Sequence, residues 1–236
     1  MGWINMEKIN GNKVIETLEL MLSKNYQSFT DEDLDKIEGI TLYPDTGDSS
    51  LELSDVFNLL PKLKKVILED FTLDVPIDIN VDYYQFVNCS IKNGFQLPEE
   101  LKSLSLRRCN TESYEFLNGK LNNLEEMYIS YPEDNNSFDM HLLTDKNSLH
   151  SMSLESVNVV NDNLFDNLTS LNDMSLLGTK LSNEALTSIS NLTNLKTLYI
   201  NEEYADIKNN FSPDVKVAHN YFEYMFMPSE GEKKTR

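Results

Sequence analysis

Apolar side chains in this chain recur on two scales at once. Within short stretches they alternate, and the stretches themselves return every 18 to 26 residues. The clearest is Leu101-Lys-Ser-Leu104-Ser-Leu106-Arg-Arg-Cys109. Leu104 and Leu106 are two residues apart and point to one face of a short strand, leaving Ser103, Ser105 and Arg107 for water or a partner. The same frame, apolar-x-x-apolar-x-apolar, begins at Ile37, Leu63, Val81, Leu101, Leu124, Leu149, Leu171 and Leu195. Three central slots hold methionine (Met127, Met152, Met174), which still fills an apolar face. A strand frame recurring at such spacings marks a solenoid of stacked units. The eight frames therefore predict eight parallel neighbouring strands.

The segments between frames set the other side of the coil. After Leu63 the repeat is only 18 residues long, and Asp74-Val-Pro-Ile-Asp-Ile-Asn80 carries Pro76 in its return, so an extended return is expected. Later returns are longer. Ser182-Asn-Glu-Ala-Leu-Thr-Ser-Ile-Ser-Asn191 offers an N-cap followed by Leu186 and Ile189 on one helical face. Ahead of the array, Val14, Ile15, Leu18, Met21 and Leu22 form a helical apolar stripe, and Thr30 with Asp33 forms a capping box. The predicted organisation is a helical N-terminal cap over 1–36, an array of about eight coils over 37–205, a C-terminal cap over 206–228 containing Tyr221, Phe222, Tyr224 and Phe226, and a loose tail over 229–236.

The frame L-x-x-L-x-L-x-x-C at Leu101–Cys109 resembles the conserved segment of the leucine-rich-repeat family. Leu97-Pro-Glu-Glu-Leu101 is similar to the L-P-x-x-L of short bacterial effector repeats. Thr30-Asp-Glu-Asp-Leu-Asp-Lys-Ile-Glu-Gly-Ile-Thr-Leu42 resembles the cap-to-repeat junction of internalin-like bacterial proteins, over a dozen residues. The resemblance implies an α/β leucine-rich-repeat solenoid, curved, with a parallel sheet on the concave face and extended or short helical segments on the convex side. Effectors with such repeats can carry a separate catalytic domain after the array; the 31 residues that follow the array here lead to the expectation of none.

Composition narrows the partner. The 236 residues hold 39 acidic against 20 basic residues, a net charge of −19. A surface this acidic disfavours nucleic acid and anionic lipid and attracts a basic protein. No basic-then-apolar leader and no apolar run of about 20 residues is present. Two cysteines fit a reducing compartment. The expectation is a cytoplasmic protein, monomeric by itself, or one exported without a cleaved signal.

Catalytic and cofactor motifs are lacking: there is no H-E-x-x-H, C-x-x-C, Gly-rich phosphate loop or G-x-S-x-G, and His141, His150 and His219 are scattered. No enzyme, metal or cofactor is expected. Cys89 and Cys109 occupy one slot of adjacent coils and read as structural, buried thiols, although a disulfide there is sterically conceivable.

Two surfaces are candidates for binding. The outward row of the strands presents Tyr43, Ile67, Tyr83, Val87, Arg107, Glu126, Tyr128, Glu155, Leu177 and Tyr199, and tyrosine beside small polar residues suits protein contact. Exposed strands also favour tyrosine on propensity alone. Residues 28–60 carry nine acids and one base, among them Asp31, Asp33, Asp35, Asp45 and Asp48, a steering patch for a basic partner or a solubilising flank. The function expected is a non-enzymatic protein-binding module, an acidic inhibitor of the immunity or anti-defence kind that covers a basic and nucleic-acid-handling partner. The alternatives are an effector or adaptor that recruits a protein, and an enzyme with an unrecognised site.

Overall fold

A computed structural model describes residues 12–44, 60–77, 79–119, 121–133 and 136–220. Its centre is a nine-stranded sheet in which every pairing is parallel. In chain order the strands are β1 Gly39–Leu42, β2 Lys65–Glu69, β3 Tyr83–Val87, β4 Ser103–Arg107 and β5 Glu126–Ser130, then β6 Ser151–Glu155, β7 Asp173–Ser175, β8 Thr197–Tyr199 and β9 Lys216–Ala218. Spatial order equals chain order, so each coil adds one strand beside the last. All eight frames lie in this sheet, forming the curved α/β solenoid of leucine-rich-repeat type. The ninth strand falls in the segment expected as a C-terminal cap, whose aromatic portion from Tyr221 lies outside the described residues.

Register is maintained without slippage: Gly39, Lys65, Tyr83, Ser103, Glu126, Ser151, Asp173, Thr197 and Lys216 form one row across the sheet. The alternate side chains fill the interior, where Val66, Leu68, Tyr84, Phe86, Leu104, Met127, Leu154 and Leu198 are fully buried. A one-residue slip would turn this whole set to solvent, which is why the pattern fixes the pairing.

The reverse side changes character along the array. Early coils return through Thr72–Leu73, Ser90–Ile91 and Asn110–Thr111, which pair as a second small parallel sheet. Later returns tighten into 3₁₀ turns at Glu115–Asn118, Met140–Leu143 and Asp162–Asn167, and then into a helix at Asn183–Ser190 capped by the Ser182 side chain. Between the layers runs a chain of aromatic rings, Tyr84–Phe86–Phe95–Phe116–Tyr114–Phe138, with successive centroids 5.7, 5.6, 5.6, 6.3 and 5.2 Å apart.

After each strand from β2 to β6 the chain turns through one left-handed residue: Asp70, Asn88, Arg108, Tyr131 and Ser156 have φ between 52° and 65°. Each backbone N–H there donates to the next coil, for example Asn88 to the Arg107 carbonyl at 3.0 Å. Gly178 takes the equivalent place after β7 with φ 75°, and a Cβ added to it would meet Ser156 Oγ at 2.5 Å. The earlier coils carry side chains in this left-handed place, so at Gly178 it is the close approach of Ser156, added to the positive φ, that favours a residue without a Cβ.

At the N-terminal end α1, Asn12–Leu22, buries Val14 and Leu18 in the same core. α2, Asp31–Leu34, opens with the anticipated capping box: Thr30 Oγ1 accepts from Asp33 N–H while the Asp33 carboxylate accepts from Thr30 N–H. Lys24 Nζ donates to both Asp33 oxygens at 2.7 and 2.8 Å. The Lys24 ammonium, with the Thr30 hydroxyl, holds the Asp33 carboxyl down to about 2. A depressed carboxyl stabilises the folded chain above the ordinary value of 3.8 and ceases to do so as pH falls through about 2. The urea midpoint of the protein should therefore exceed that of Asp33→Asn at neutral pH, with the gap closing between about pH 4 and pH 2. A gap unchanged down to pH 2 would show that the carboxylate charge is not the source.

Candidate functional site

The outward side chains of the strands make three rows, and the middle row reads Thr41, Ile67, Gln85, Ser105, Tyr128, Ser153, Ser175, Tyr199 and Ala218. Tyr128 and Tyr199 are thus separated by two serines on intervening strands. Large side chains standing on either side of small ones leave a hollow. An open depression of about 260 Å³ lies there, lined by Tyr128, Ser151, Ser153, Glu155, Asp173 and Tyr199 among others.

The hollow is polar at its edges. Tyr128 Oη and Ser151 Oγ are 3.2 Å apart, and Ser175 Oγ donates to Glu155 Oε1 at 3.0 Å. That bond draws Glu155 inward, and its residue exposure is only 8 %. Sequence register places Glu155 on the open face; neighbouring side chains on a concave sheet crowd it, so it lines the hollow instead of projecting. Asp173 stays exposed at the opposite end of the strands. Burial, opposed in part by the Ser151 hydrogen bond, raises the Tyr128 phenol above its ordinary value, and the Glu126 and Asp173 charges add to the shift. Among the described residues, no lysine or arginine lines the depression.

The other half of the face is arranged differently. Lys65 Nζ stands 4.5 Å from the centre of the Tyr83 ring, whose hydroxyl donates to Gln85 Oε1 at 3.0 Å. Tyr83 is half-buried, and its phenol is raised chiefly by that burial. Ile67, Val87, Glu126 and Leu177 are partly exposed and Arg107 is exposed. Ser103 Oγ donates to Glu126 Oε2 at 3.0 Å. Tyr43 is 44 % exposed just beyond β1, its phenol raised first by desolvation and then by Glu69. The tyrosines therefore share one face but not one cluster, and among the described residues Tyr128 and Tyr199 stand on either side of a hollow.

Of the acidic flank, Asp31 and Asp35 are exposed, while Asp45 and Asp48 lie outside the described residues. Asp33 is withdrawn from any steering patch: it is buried, capped onto Thr30 and ion-paired with Lys24. Its physical work is local folding.

Cys89 and Cys109 are both buried and free. Cys89 Sγ donates to the Leu68 carbonyl at 3.3 Å and Cys109 Sγ to the Phe86 carbonyl at 3.3 Å, each reaching back one coil. The neighbouring Cys109 and burial push the Cys89 thiol well above its ordinary value, which keeps it unreactive. Thr179 occupies the same slot two coils beyond Pro132: its Oγ1 donates to the Leu154 carbonyl at 2.6 Å and accepts from Val157 N–H at 3.2 Å. The shared place of Cys, Cys and Thr was open to alignment of the frames, but the identical hydrogen bond was not.

Among the described residues, no group of three or more His, Cys, Asp or Glu side chains could hold a metal ion, and no helix is long and apolar enough to cross a membrane. No protein-family model matches the chain. No curated protein matches it either. Among solved structures it is similar to an internalin (inlF) of Listeria monocytogenes, with 15% identity over 83% of this chain and 64% of that one, at TM-score 0.51. It is similar also to Listeria monocytogenes InlP, with 16% identity over 83% and 65% and TM-score 0.55. A third is internalin C2 of the same organism, with 13% identity over 92% and 89% and TM-score 0.50. The chain thus spans just under two thirds of the first two. Identities this low establish a common fold and nothing narrower.

Proposed function

We propose that this protein works by binding another protein across the outward face of its parallel sheet, without chemistry of its own. The observation that carries the reading is the in-register front of tyrosines and small hydroxyl residues, which culminates in the hollow between Tyr128 and Tyr199. Rigid aromatic walls beside small polar residues supply contact area at low entropic cost. Its partner is basic, drawn by the net charge of −19. Covering such a partner makes the protein an acidic inhibitor of immunity or anti-defence type, acting in the cytoplasm as a monomer; recruitment of a partner without blocking it is the alternative use of the same face.

The test is affinity capture followed by binding kinetics on the captured protein. Tyr128→Ala and Tyr199→Ala should each speed dissociation, by about 1–3 kcal/mol for a packed aromatic anchor. Neutralising Asp31 and Asp35 should mainly slow association and flatten its salt dependence. Unchanged dissociation in both tyrosine variants, with binding abolished by the acid variants, would move the site to the N-terminal flank. An activity assay of the partner with and without this protein separates inhibition from recruitment.

A further inference from the structure

We infer that Arg107 and Arg108, with Tyr131 beside them, receive an aspartate or glutamate side chain of the partner protein and so set its orientation. The assignment rests on the binding face proposed above. The chain holds three arginines against 39 acidic residues, and two of the three are consecutive. Both are exposed, Arg107 at the end of β4 and Arg108 in the left-handed turn that follows. Several lysines are matched with acids: Lys24 pairs with Asp33, Lys64 with Glu38, Lys92 with Glu112 and Lys102 with Asp82. Among the described residues neither guanidinium forms an ion pair.

The sequence keeps acids away on both sides. In the row of Arg107 the neighbouring strands carry Val87 and Ser130. Glu69 and Glu155 stand one strand further out, about 10 Å away, which is about a Debye length at 0.1 M salt. In the turns, Arg108 lies between Asn88 and Tyr131, both left-handed and exposed. The Arg108 N–H donates to the Ser130 carbonyl at 3.0 Å, which brings the turn of Tyr131 alongside. The Tyr131 residue is 55 % exposed, so its ring is available for contact. Two like charges on consecutive residues repel each other, and a carboxylate held in the fork of a guanidinium relieves that repulsion. Arginine and tyrosine are also the side chains that most often anchor protein interfaces. Elsewhere on the face a partner's carboxylate meets Glu126 and Asp173 and is repelled. An acidic residue on an otherwise basic partner is therefore accepted at this place, and it fixes which way round the partner docks.

The test is a nuclear magnetic resonance titration of the full chain at low salt. The probes are N-acetyl-phenylalanyl-glutamate amide, its neutral isostere N-acetyl-phenylalanyl-glutamine amide, and N-acetyl-phosphoserine amide. The glutamate probe should give saturable shifts at the amides of 87–88, 107–108 and 130–131, and the glutamine probe none there. Arg107→Gln and Arg108→Gln should each weaken the glutamate probe about threefold, as for an exposed charge pair. Lys180→Gln, exposed and three coils further on, makes the same change in net charge and should leave binding unaltered. Equal shifts with glutamine remove the role of charge, and equal weakening by Lys180→Gln traces the effect to net charge alone. Binding of phosphoserine without glutamate assigns the pair to a phosphate, and no response to glutamate leaves it without a ligand. Each of these overturns the assignment. A captured partner that dissociates faster from Tyr128→Ala but equally from Arg107→Gln and Arg108→Gln would overturn the arginine site alone and leave the binding face standing.

Discussion

Phe138→Ala should cost about 3–5 kcal/mol of folding stability, the range for removing a fully buried aromatic ring. Phe138 is 0% exposed and its ring meets Tyr114 edge-on at 5.2 Å, the last link of the aromatic chain that begins at Tyr84. It also opens the short strand that pairs with Val159–Val160 on the reverse side. Removing the ring leaves a void that neighbouring coils cannot close without breaking strand register, so the loss includes a cavity term as well as transfer. Urea unfolding followed by far-ultraviolet dichroism measures it. Val160→Ala, at an exposed position beside the same strand, should stay within about 0.5 kcal/mol and serves as the control. A loss below about 1 kcal/mol for Phe138→Ala would mean that the aromatic chain is loosely packed.

Thr179→Val should be the next most damaging change, at about 2–4 kcal/mol, although it alters shape hardly at all. The threonine hydroxyl both donates to the Leu154 carbonyl and accepts from the Val157 N–H, in a place fully out of water. Valine leaves two buried backbone groups without that partner, at about 1–2 kcal/mol each, the lower part of the range for an unsatisfied buried group. Thr179→Ser keeps both hydrogen bonds and loses one methyl, about 0.8 kcal/mol. The contrast between the two variants, read from their urea midpoints, isolates the hydrogen bonds from the packing. Equal midpoints would show that the hydroxyl contributes nothing.

Legibility in the sequence followed the scale of the signal. Frames such as Leu124-x-x-Met127-x-Ile129 declared their strands because burial of alternate side chains is a local property, readable one residue at a time. The left-handed turn after each strand was not readable. Its occupants, Asp70, Asn88, Arg108, Tyr131 and Ser156, share no chemistry, and the conformation is imposed by hydrogen bonds to the following coil. β9 was missed because Val215-Lys-Val217 is too short an alternation to stand out without a leucine frame ahead of it. At the candidate site the two tyrosines were visible but the hollow was not, since it depends on which small residues fall between them on neighbouring strands. Likewise the capping box of Thr30 and Asp33 is legible locally, whereas the ion pair that withdraws Asp33 from the acidic surface depends on Lys24, nine residues earlier, folding back against it.

The unbroken row running from Gly39 to Lys216 amounts to a ruler, graduated once per strand. Its divisions are about 4.8 Å apart, the spacing of hydrogen-bonded strands. An α-helix laid across the strands repeats its surface every 5.4 Å, so its turns fall out of step with the divisions by about 0.6 Å each. Over the eight intervals of the nine-stranded sheet the mismatch approaches 5 Å, nearly one whole turn. A helical ligand could keep its side chains in phase with only three or four consecutive coils before needing to bend. That is the width of the stretch from β5 to β8, whose middle row begins at Tyr128 and ends at Tyr199.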